Sequence, residues 1–392
     1  MKRDRTIYLY LKMFPPLGDR LDNGAVKYVH GLASGLVACG ANVTVLCEGS
    51  HSKEEPDSSY QTDAGYTIKW FANPSQHLSF KVAQNLKKFI QGGSKPDFVV
   101  LNGIFHPSVY AMSRLLKQQN IPYLVAPLDP YHPSIFSKNA QLKWPYWYLL
   151  ERRMLKQAKA VQLLDIRHVE WLHRLGVQIP AIETPCGFSL ENVYPESMLQ
   201  WRDHTSPTFL FLGRIDSHNK GLDLLLNAFA EITTVMDAKL TIQGPDNGDR
   251  TTLERMANQL SLLERVSFLD PDFNASAASI IANYDIFCIP SRFEGFSIAA
   301  LEAMLAGRVL LVSEVAGIAP HVQASGCGVV VKPEVVAIKE GLIELLQQRA
   351  RWKEMGLNGR KYVLEYLSWD KIASTVLERY QEIFDFPEAS LN

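Results

Sequence analysis

The chain has 392 residues, more than one hydrophobic core usually serves, so two or three domains are expected. Its composition, 47% hydrophobic and 21% charged, excludes a disordered, collagenous or coiled-coil chain, and a net charge of −1 argues against a nucleic-acid binder as a whole. The five cysteines, Cys39, Cys47, Cys186, Cys288 and Cys327, are odd in number and never form a CxxC pair, so free buried thiols in a reducing, cytoplasmic compartment are expected.

The opening MKRDRTIYLYLKMF starts basic and turns apolar. The apolar stretch is brief, is broken by Lys12 and lacks a small-residue cleavage site, so it predicts a first buried strand and not a signal peptide. Short β-rich apolar runs then alternate with amphipathic helical stretches, the pattern of parallel α/β folds. Strands are predicted at 7–13, 43–47, 67–71, 98–101, 123–126 and 160–164, with helices at 25–38 (closed by Gly40), 78–90, 108–118 and 142–157. A break at Thr184-Pro185-Cys186-Gly187 and a polar segment reaching Pro207 read as a linker. The alternation restarts with strands at 208–212, 240–243, 266–269, 285–289, 309–312 and 328–331.

Two Rossmann-like, doubly wound domains in tandem follow, 1–190 and 191–368, with no detectable repeat between them. A final segment, 369–392, carries a helix expected to cross back to the first domain. Ligands of such sheets bind at the carboxyl ends of the strands, and two domains facing one another would enclose a cleft. No run of about 18 uncharged apolar residues occurs; the most apolar region, 295–312, contains Glu302 and Arg308, so no membrane span is expected.

The most informative segment is 285–312: a strand DIFCIP, a loop SRFEGF, a helix SIAALEAMLAG stopped by Gly307, and a strand VLLV. Glu294 stands in the turn before the helix and Glu302 about two turns inside it. The amides of Gly295, Phe296 and Ser297 would be unpaired at the helix start, which favours an anion such as a diphosphate. Glu294 and Glu302 can each accept two hydroxyl hydrogen bonds from a sugar or ribose. A capping acid followed by a surface Glu is the plain alternative; it is weakened because Ala300, Leu301 and Ala303 surround Glu302 with apolar side chains, and a buried charge needs a partner. A second element, FLFLGRIDSHNKGLDLLLNAFA, places Arg214 and Lys220 about a loop between strand and helix. A guanidinium fork and an ammonium point charge suit a pyrophosphate leaving group, while two solvated loop cations are the alternative.

Other patterns carry less. Asp270-Pro271-Asp272 spells a metal–diphosphate DxD, but acid–Pro–acid is also an ordinary turn. His168 and His173 are five apart and do not share a helix face as zinc ligands would, so a solvated helix is expected. Asp246-Asn247-Gly248-Asp249 lacks the remaining calcium-loop ligands. The run KNAQLKWPYWYLLERRMLKQAKA combines Lys138, Lys143, Arg152, Arg153, Lys156 and Lys159 with Trp144, Tyr146, Trp147 and Tyr148. It reads either as a basic aromatic helix lying on anionic lipid, a peripheral contact with a membrane surface, or as a core helix with solvated cations.

RIDSHNKG together with EGFSIAALEAMLAG resembles the retaining glycosyltransferases of family 4, which have the GT-B fold. The resemblance extends to the loop at Asn23-Gly24, the turn Pro185-Cys186-Gly187 and the strand end Gln243-Gly244. It implies a nucleotide-diphosphate sugar donor and a glycan, lipid-linked or small-molecule acceptor, with no metal, no other cofactor and no nucleic acid. Glu302 would hold the ribose hydroxyls, Glu294 the transferred sugar, and Arg214 and Lys220 the diphosphate; the amides of Gly295, Phe296, Ser297 and Ile298 and the loop at Gly24 would complete the donor site. The base would lie near Gly244 and 268–273. Departures from the pattern are Asn23 where a glycine is usual, Val309 in place of a common proline, and Leu128 where a histidine usually assists at the reaction centre. The last leaves His106, Asp129 and His132 as candidates for sugar or acceptor contacts. An epimerase on the same scaffold and a non-catalytic sugar-nucleotide-binding module remain as rival readings.

Overall fold

A computed structural model describes residues 5–15, 23–49, 57–73, 80–137, 139–190, 193–201, 206–234 and 236–384. The chain divides into two compact units, Met1–Gly187 with Trp369–Asn392, and Phe188–Ser368.

Strands in the first unit are β1 (Thr6–Tyr10), β2 (Asn42–Gly49), β3 (Ser58–Gln61), β4 (Thr67–Ala72), β5 (Phe98–Asn102), β6 (Tyr123–Ala126), β7 (Val161–Leu163) and β8 (Ala181–Glu183). Its helices are α1 (Gly24–Ala38), α2 (Gln84–Gly92), α3 (Pro107–Gln118), α4 (Pro133–Ser137), α5 (Ala140–Tyr146), α6 (Arg152–Gln157) and α7 (Val169–Arg174). The sheet order is β3-β4-β2-β1-β5-β6-β7-β8, parallel except for the β3–β4 pair. Every residue of β5, β6 and β7 is buried, as expected of strands covered on both faces. Two strands escape the sequence reading. Ser58–Gln61 is a polar edge strand without an apolar face, and Ala181–Glu183 is too short to show a period.

The expected helix at 142–157 is broken. Pro145 lies inside α5 and supplies no amide donor, and a π turn (Trp147–Glu151) follows in which the Arg152 N–H reaches the carbonyl of Trp147. The helix expected at 78–90 starts at Gln84, because Ala83 before it has extended backbone; residues 78 and 79 lie outside the described residues. β1 stops at Tyr10, three residues short of the expected end.

The second unit has a six-stranded, wholly parallel sheet in the order β11-β10-β9-β12-β13-β14. These strands are β9 (Thr208–Leu212), β10 (Lys239–Gln243), β11 (Val266–Leu269), β12 (Ile286–Ile289), β13 (Val309–Ser313) and β14 (Gly328–Val331), the six that the apolar runs predict. The helices are α8 (Ser217–Lys220), α9 (Leu222–Ile232), α10 (Arg250–Gln259), α11 (Ala277–Ile281), α12 (Ile298–Leu305), α13 (Ala319–Ser325), α14 (Val335–Gln347) and α15 (Trp352–Tyr366). The segment read as a linker is tied to this unit: the Phe188 N–H bonds the Leu367 carbonyl at 3.1 Å and the Trp201 indole bonds the Gly307 carbonyl at 3.2 Å.

The last helix, α16 (Trp369–Phe384), packs on α1 in the first unit. Its Tyr380 hydroxyl donates to the Gln162 side-chain oxygen at 2.5 Å, and the Gln162 amide donates to the Tyr28 hydroxyl at 2.7 Å, a buried chain joining α16, β7 and α1. Close approach of α1 and α16 requires glycine: a Cβ on Gly31 would lie 2.0 Å from the Trp369 ring. Gly31→Ala should therefore lower the stability of this unit by roughly 1–3 kcal/mol. Trp369→Leu in the same chain should recover part of that loss, a coupling that urea denaturation of the two single variants and the double variant reads directly.

Candidate active site

The second sheet reverses its order between β9 and β12, so the loops leaving those strands flank its topological switch point, where open α/β sheets bind ligands. Arg214 and Lys220 follow β9; Glu294 and the start of α12 follow β12. Gly213 and Gly244 continue the β9–β10 pairing past the strand ends, with the Gly213 N–H on the Gln243 carbonyl. Gly244 has φ of 148°, and a Cβ there would lie 2.0 Å from the Gly213 carbonyl oxygen. Backbone packing alone therefore requires glycine at 244, whatever else that position contacts.

Four contacts stitch the two loops together. Arg292 makes a forked pair with Asp223, both bonds at 2.7 Å. The Asn219 carbonyl accepts the N–H groups of Arg292 and Phe293 at 3.0 and 3.3 Å. Gly221, with φ of 65°, sits where a Cβ would lie 2.2 Å from the Pro290 carbonyl oxygen. Finally, the Lys220 ammonium donates to Glu294 Oε2 at 2.5 Å, and the Ser291 hydroxyl reaches the same oxygen at 3.2 Å. Lys220 and Glu294 are largely buried, with 19% and 13% of their side chains exposed, and each is the other's charged partner. Arg214 is exposed and makes no hydrogen bond or ion pair among the described residues. Sequence reasoning names Lys220, Glu294 and Arg214, but misses Asp223, Arg292, Asn219 and Ser291, which hold them. The acid in the first turn of α9 and the arginine of SRFEGF are both visible in the sequence, but nothing local marks them as a pair.

The start of α12 is strained. Ser297 has φ of 85°, uncommon for a residue with a Cβ, and its hydroxyl caps the helix by accepting the Ala300 N–H at 3.3 Å. Among the described residues, the amides of Gly295, Phe296 and Ser297 donate to no protein acceptor. Only the backbone of Phe296 is available there, because its side chain is buried against His321 at 5.7 Å. Helix α12 opens at Ile298, so Glu302 is its fifth residue, just over one turn in and not two; it is half-buried and not fully buried.

The discounted patterns have structural partners. Asp270 pairs with Arg250 at 2.5 Å, and Asp272 accepts the N–H groups of Asn274 and Ala275. Asp246 accepts those of Gly248, Asp249 and Arg250. His168, expected to be solvated, is instead buried and stacked on Trp171 at 4.8 Å, because it precedes α7 and faces the sheet-end residue Asp165. Four of the five free cysteines are buried, but Cys39 is exposed as the C-cap of α1. Among the described residues no helix is long and apolar enough to cross a membrane.

The remaining candidates lie in the first unit. Gly24 is the first residue of α1, and Asn23 is its N-cap, accepting the Ala25 N–H at 2.8 Å; a side chain at 23 is thus an asset to the helix. His106 is exposed at the N-cap of α3 with its ring over Gly103, and Asp129 is exposed after β6. His132 is half-buried and committed locally: its Nδ1 accepts the Ser134 N–H at 3.2 Å and its ring packs edge-on against Trp171 at 4.6 Å. Leu128, where the resemblance expects histidine, has φ of 65°, and Phe105 in the neighbouring loop has φ of 53°. Beneath these strained loops is Glu151, which the sequence reading passed over. It is 1% exposed in the π turn, and its Oε1 accepts both the Tyr131 hydroxyl at 2.7 Å and the Phe105 N–H at 3.2 Å. Burial pushes its carboxyl up to about 7.

Two family sequence models match the chain. Residues 23–186 match the one described as glycosyl transferase 4-like domain, and residues 200–362 the one described as glycosyl transferases group 1. A phosphatidyl-myo-inositol mannosyltransferase of Mycobacterium tuberculosis is 26% identical over 381 residues, covering 95% of this chain and 96% of that one. Among solved structures, sucrose-phosphate synthase from Thermosynechococcus elongatus superposes with a TM-score of 0.77 at 20% identity, covering 97% of this chain and 99% of that one. The HepE protein of Anabaena, in complex with UDP and glucose, superposes with a TM-score of 0.71 at 15% identity, covering 96% and 100%. The fold is therefore GT-B.

Between pH 4.5 and 7 the folded chain keeps a proton on Glu151 that the unfolded chain has released, so this group's contribution to stability falls as pH rises through that window. The loss amounts to roughly 3 kcal/mol. Glu151→Gln retains the oxygen that accepts both bonds; it should flatten this part of the profile and leave the variant more stable than the wild type at pH 8. Urea denaturation at pH 5 and pH 8 is the check.

Proposed function

Because the chain belongs to the group 1 glycosyltransferases with a family 4-like first domain, we propose that it moves a hexosyl unit from a nucleotide-diphosphate sugar to a hydroxyl acceptor with retention of anomeric configuration. The observation that carries this reading is the Lys220–Glu294 pair at the switch point of the second sheet, with Arg214 exposed beside it in sequence and unpaired amides at 295–297. The HepE complex with UDP and glucose and the mannosyltransferase relative support a nucleotide donor and a hexosyl group.

In this reading the bond between the anomeric carbon and the diphosphate oxygen breaks, and negative charge gathers on the leaving group. The Arg214 fork, the Lys220 ammonium and the amides at 295–297 stabilise that charge. Glu302 accepts the ribose hydroxyls and Glu294 those of the sugar. The acceptor hydroxyl attacks from the face the leaving group vacates, and a leaving-phosphate oxygen takes its proton, so no carboxylate base is required. No metal enters the scheme. The acceptor is a glycan, a lipid-linked sugar or a small molecule on the way to a polysaccharide or glycoconjugate, with exposed His106 and Asp129 as candidate contacts. Free, mostly buried thiols support a reducing, cytoplasmic setting.

Thermal shift against UDP, GDP, ADP and their common sugars tests the donor site. A nucleotide at 100 times its Kd should stabilise the fold by ~2.7 kcal/mol, with and without EDTA. Glu302→Ala should weaken binding by roughly 1.5–3 kcal/mol through loss of charge-assisted bonds. Lys220→Ala should lower kcat on the order of 10²-fold, more than it raises KM. If no nucleotide shifts the protein, the donor reading fails. If a donor binds but is neither transferred nor slowly hydrolysed, the protein is a binding module and not an enzyme.

A further inference from the structure

The first unit carries a second concave surface that the donor chemistry does not use. A cavity of about 780 Å³ opens between α2, α3 and the π turn, and a neighbouring one of about 390 Å³ shares Tyr110, Arg114 and Gln118 with it. Lys81, Lys87 and Arg114 line the first, and Arg114, Lys117 and Arg153 the second. Among the described residues, no carboxylate lines either one. In a chain of net charge −1, Lys87 of α2, Arg114 and Lys117 of α3 and Arg153 of α6, with Lys81 in the segment before α2, thus line two adjoining hollows.

The rim of the larger hollow is apolar and open to solvent. Phe80 lines it, is exposed, and stacks on Tyr146 at 6.4 Å, which joins the rim to α5. Along α5 and the π turn, Leu142 and Leu149 are each 69% exposed and Tyr148 is 61% exposed. The buried half of the same segment, Trp147, Glu151, Met154 and Leu155, anchors it to the core. The sequence left two readings of this segment, a lipid-facing helix or a core helix with solvated cations. In the structure the break at Pro145 and the π turn rotate Trp147 and Glu151 inward while Leu142, Tyr148 and Leu149 are exposed to solvent. Lys138 lies outside the described residues.

We propose that the basic cavity between α2, α3 and the π turn is a docking site for the headgroups of an anionic lipid bilayer, with Leu142, Tyr148 and Leu149 entering the boundary of its hydrocarbon. Charge complementarity selects this occupant over a neutral surface, and exposed apolar side chains in the same segment that gives Leu150 and Arg153 to the cavity walls select a bilayer over a soluble polyanion. Each basic residue close to an anionic surface raises partitioning about fivefold at low salt, and screening removes that gain within a Debye length. The proposal rests on the first unit alone and needs no nucleotide, so it stands or falls separately from the transferase reading.

Flotation of the full chain with vesicles tests it, using phosphatidylcholine alone and phosphatidylcholine with phosphatidylglycerol, at low and high salt, without nucleotide. The wild type should float with the anionic vesicles at low salt, release on raising salt, and ignore the neutral ones. Arg114→Glu with Lys117→Glu should lower partitioning at least twentyfold. Leu142→Ser with Leu149→Ser should lower it about tenfold while leaving the remaining binding salt-sensitive. Both pairs are exposed, so unchanged thermal unfolding and unchanged circular dichroism establish that the variants are folded. Failure of the wild type to float, equal binding to neutral vesicles, wild-type binding by both variant pairs, or capture by single-stranded RNA without vesicle binding would each overturn the proposal.

Discussion

Arg292 and Asp223 hold together the two loops on which the proposed chemistry depends. Their forked pair fixes the segment after β12 against the first turn of α9, and it does so in a half-buried setting where planar, bidentate geometry specifies one arrangement. Everything nearby inherits that register. Asn219 can offer its carbonyl to two successive amides only if the loops keep this spacing, and Gly221 can pass under the Pro290 carbonyl only if nothing pushes them apart. The Lys220–Glu294 contact follows from these constraints and does not create them. An ion pair of this exposure adds little net stability once desolvation is counted, so its significance is positional.

Both units hold some strained backbone in loops that follow the carboxyl ends of their strands. In the second, Ser297 has a positive φ at the start of α12, and Gly213 and Gly244 meet backbone to backbone. In the first, Phe105 and Leu128 hold left-handed conformations in adjacent loops. Such conformations cost of order 1–3 kcal/mol each and persist only where the surroundings over-determine them. The surroundings here are identifiable. Ser297 is held by its own cap, and Phe105 by the carboxylate of Glu151, which also receives the Tyr131 hydroxyl from the segment after Leu128. A single buried acid thereby fixes two loops, which is why its burial is tolerated.

What was legible in the sequence was what is periodic or punctuated. Short apolar runs mark all six strands of the second sheet, and β12 and β13 are buried on both faces. Gly307 marked the end of α12, and it does adopt a positive φ there. Lost were features whose cause lies in tertiary packing. Ser58–Gln61 is a strand only because β4 offers it an edge, and Ala181–Glu183 only because β7 does. The π turn hides in a pattern that reads as one helix, although Pro145 announced a break. The positions of Arg214, Lys220, Glu294 and Glu302 could be read from their motifs. The side chains that orient them could not, because a pair such as Asp223 and Arg292 is 69 residues apart in sequence and carries no local signature.

Lys220 and Glu294 satisfy one another, and this bears on how such a pair could accept a ligand. Two isolated charges of that burial would each be costly, and their neighbours would move to relieve them. Paired, they remain ordered and poised. Under the proposed function, a donor offers each a replacement of matching chemistry, phosphate oxygens for the ammonium and hydroxyl groups for the carboxylate. The exchange then trades one set of charge-assisted bonds for another, with little net change in the number of bonds made. An ammonium has three donors and a carboxylate about four acceptor positions, so the pair need not separate fully to accept those partners. The ion pair and the ligand are therefore not exclusive occupants. Under the proposed function, the loop contacts that hold Lys220 to Glu294 also hold both in register with the start of α12.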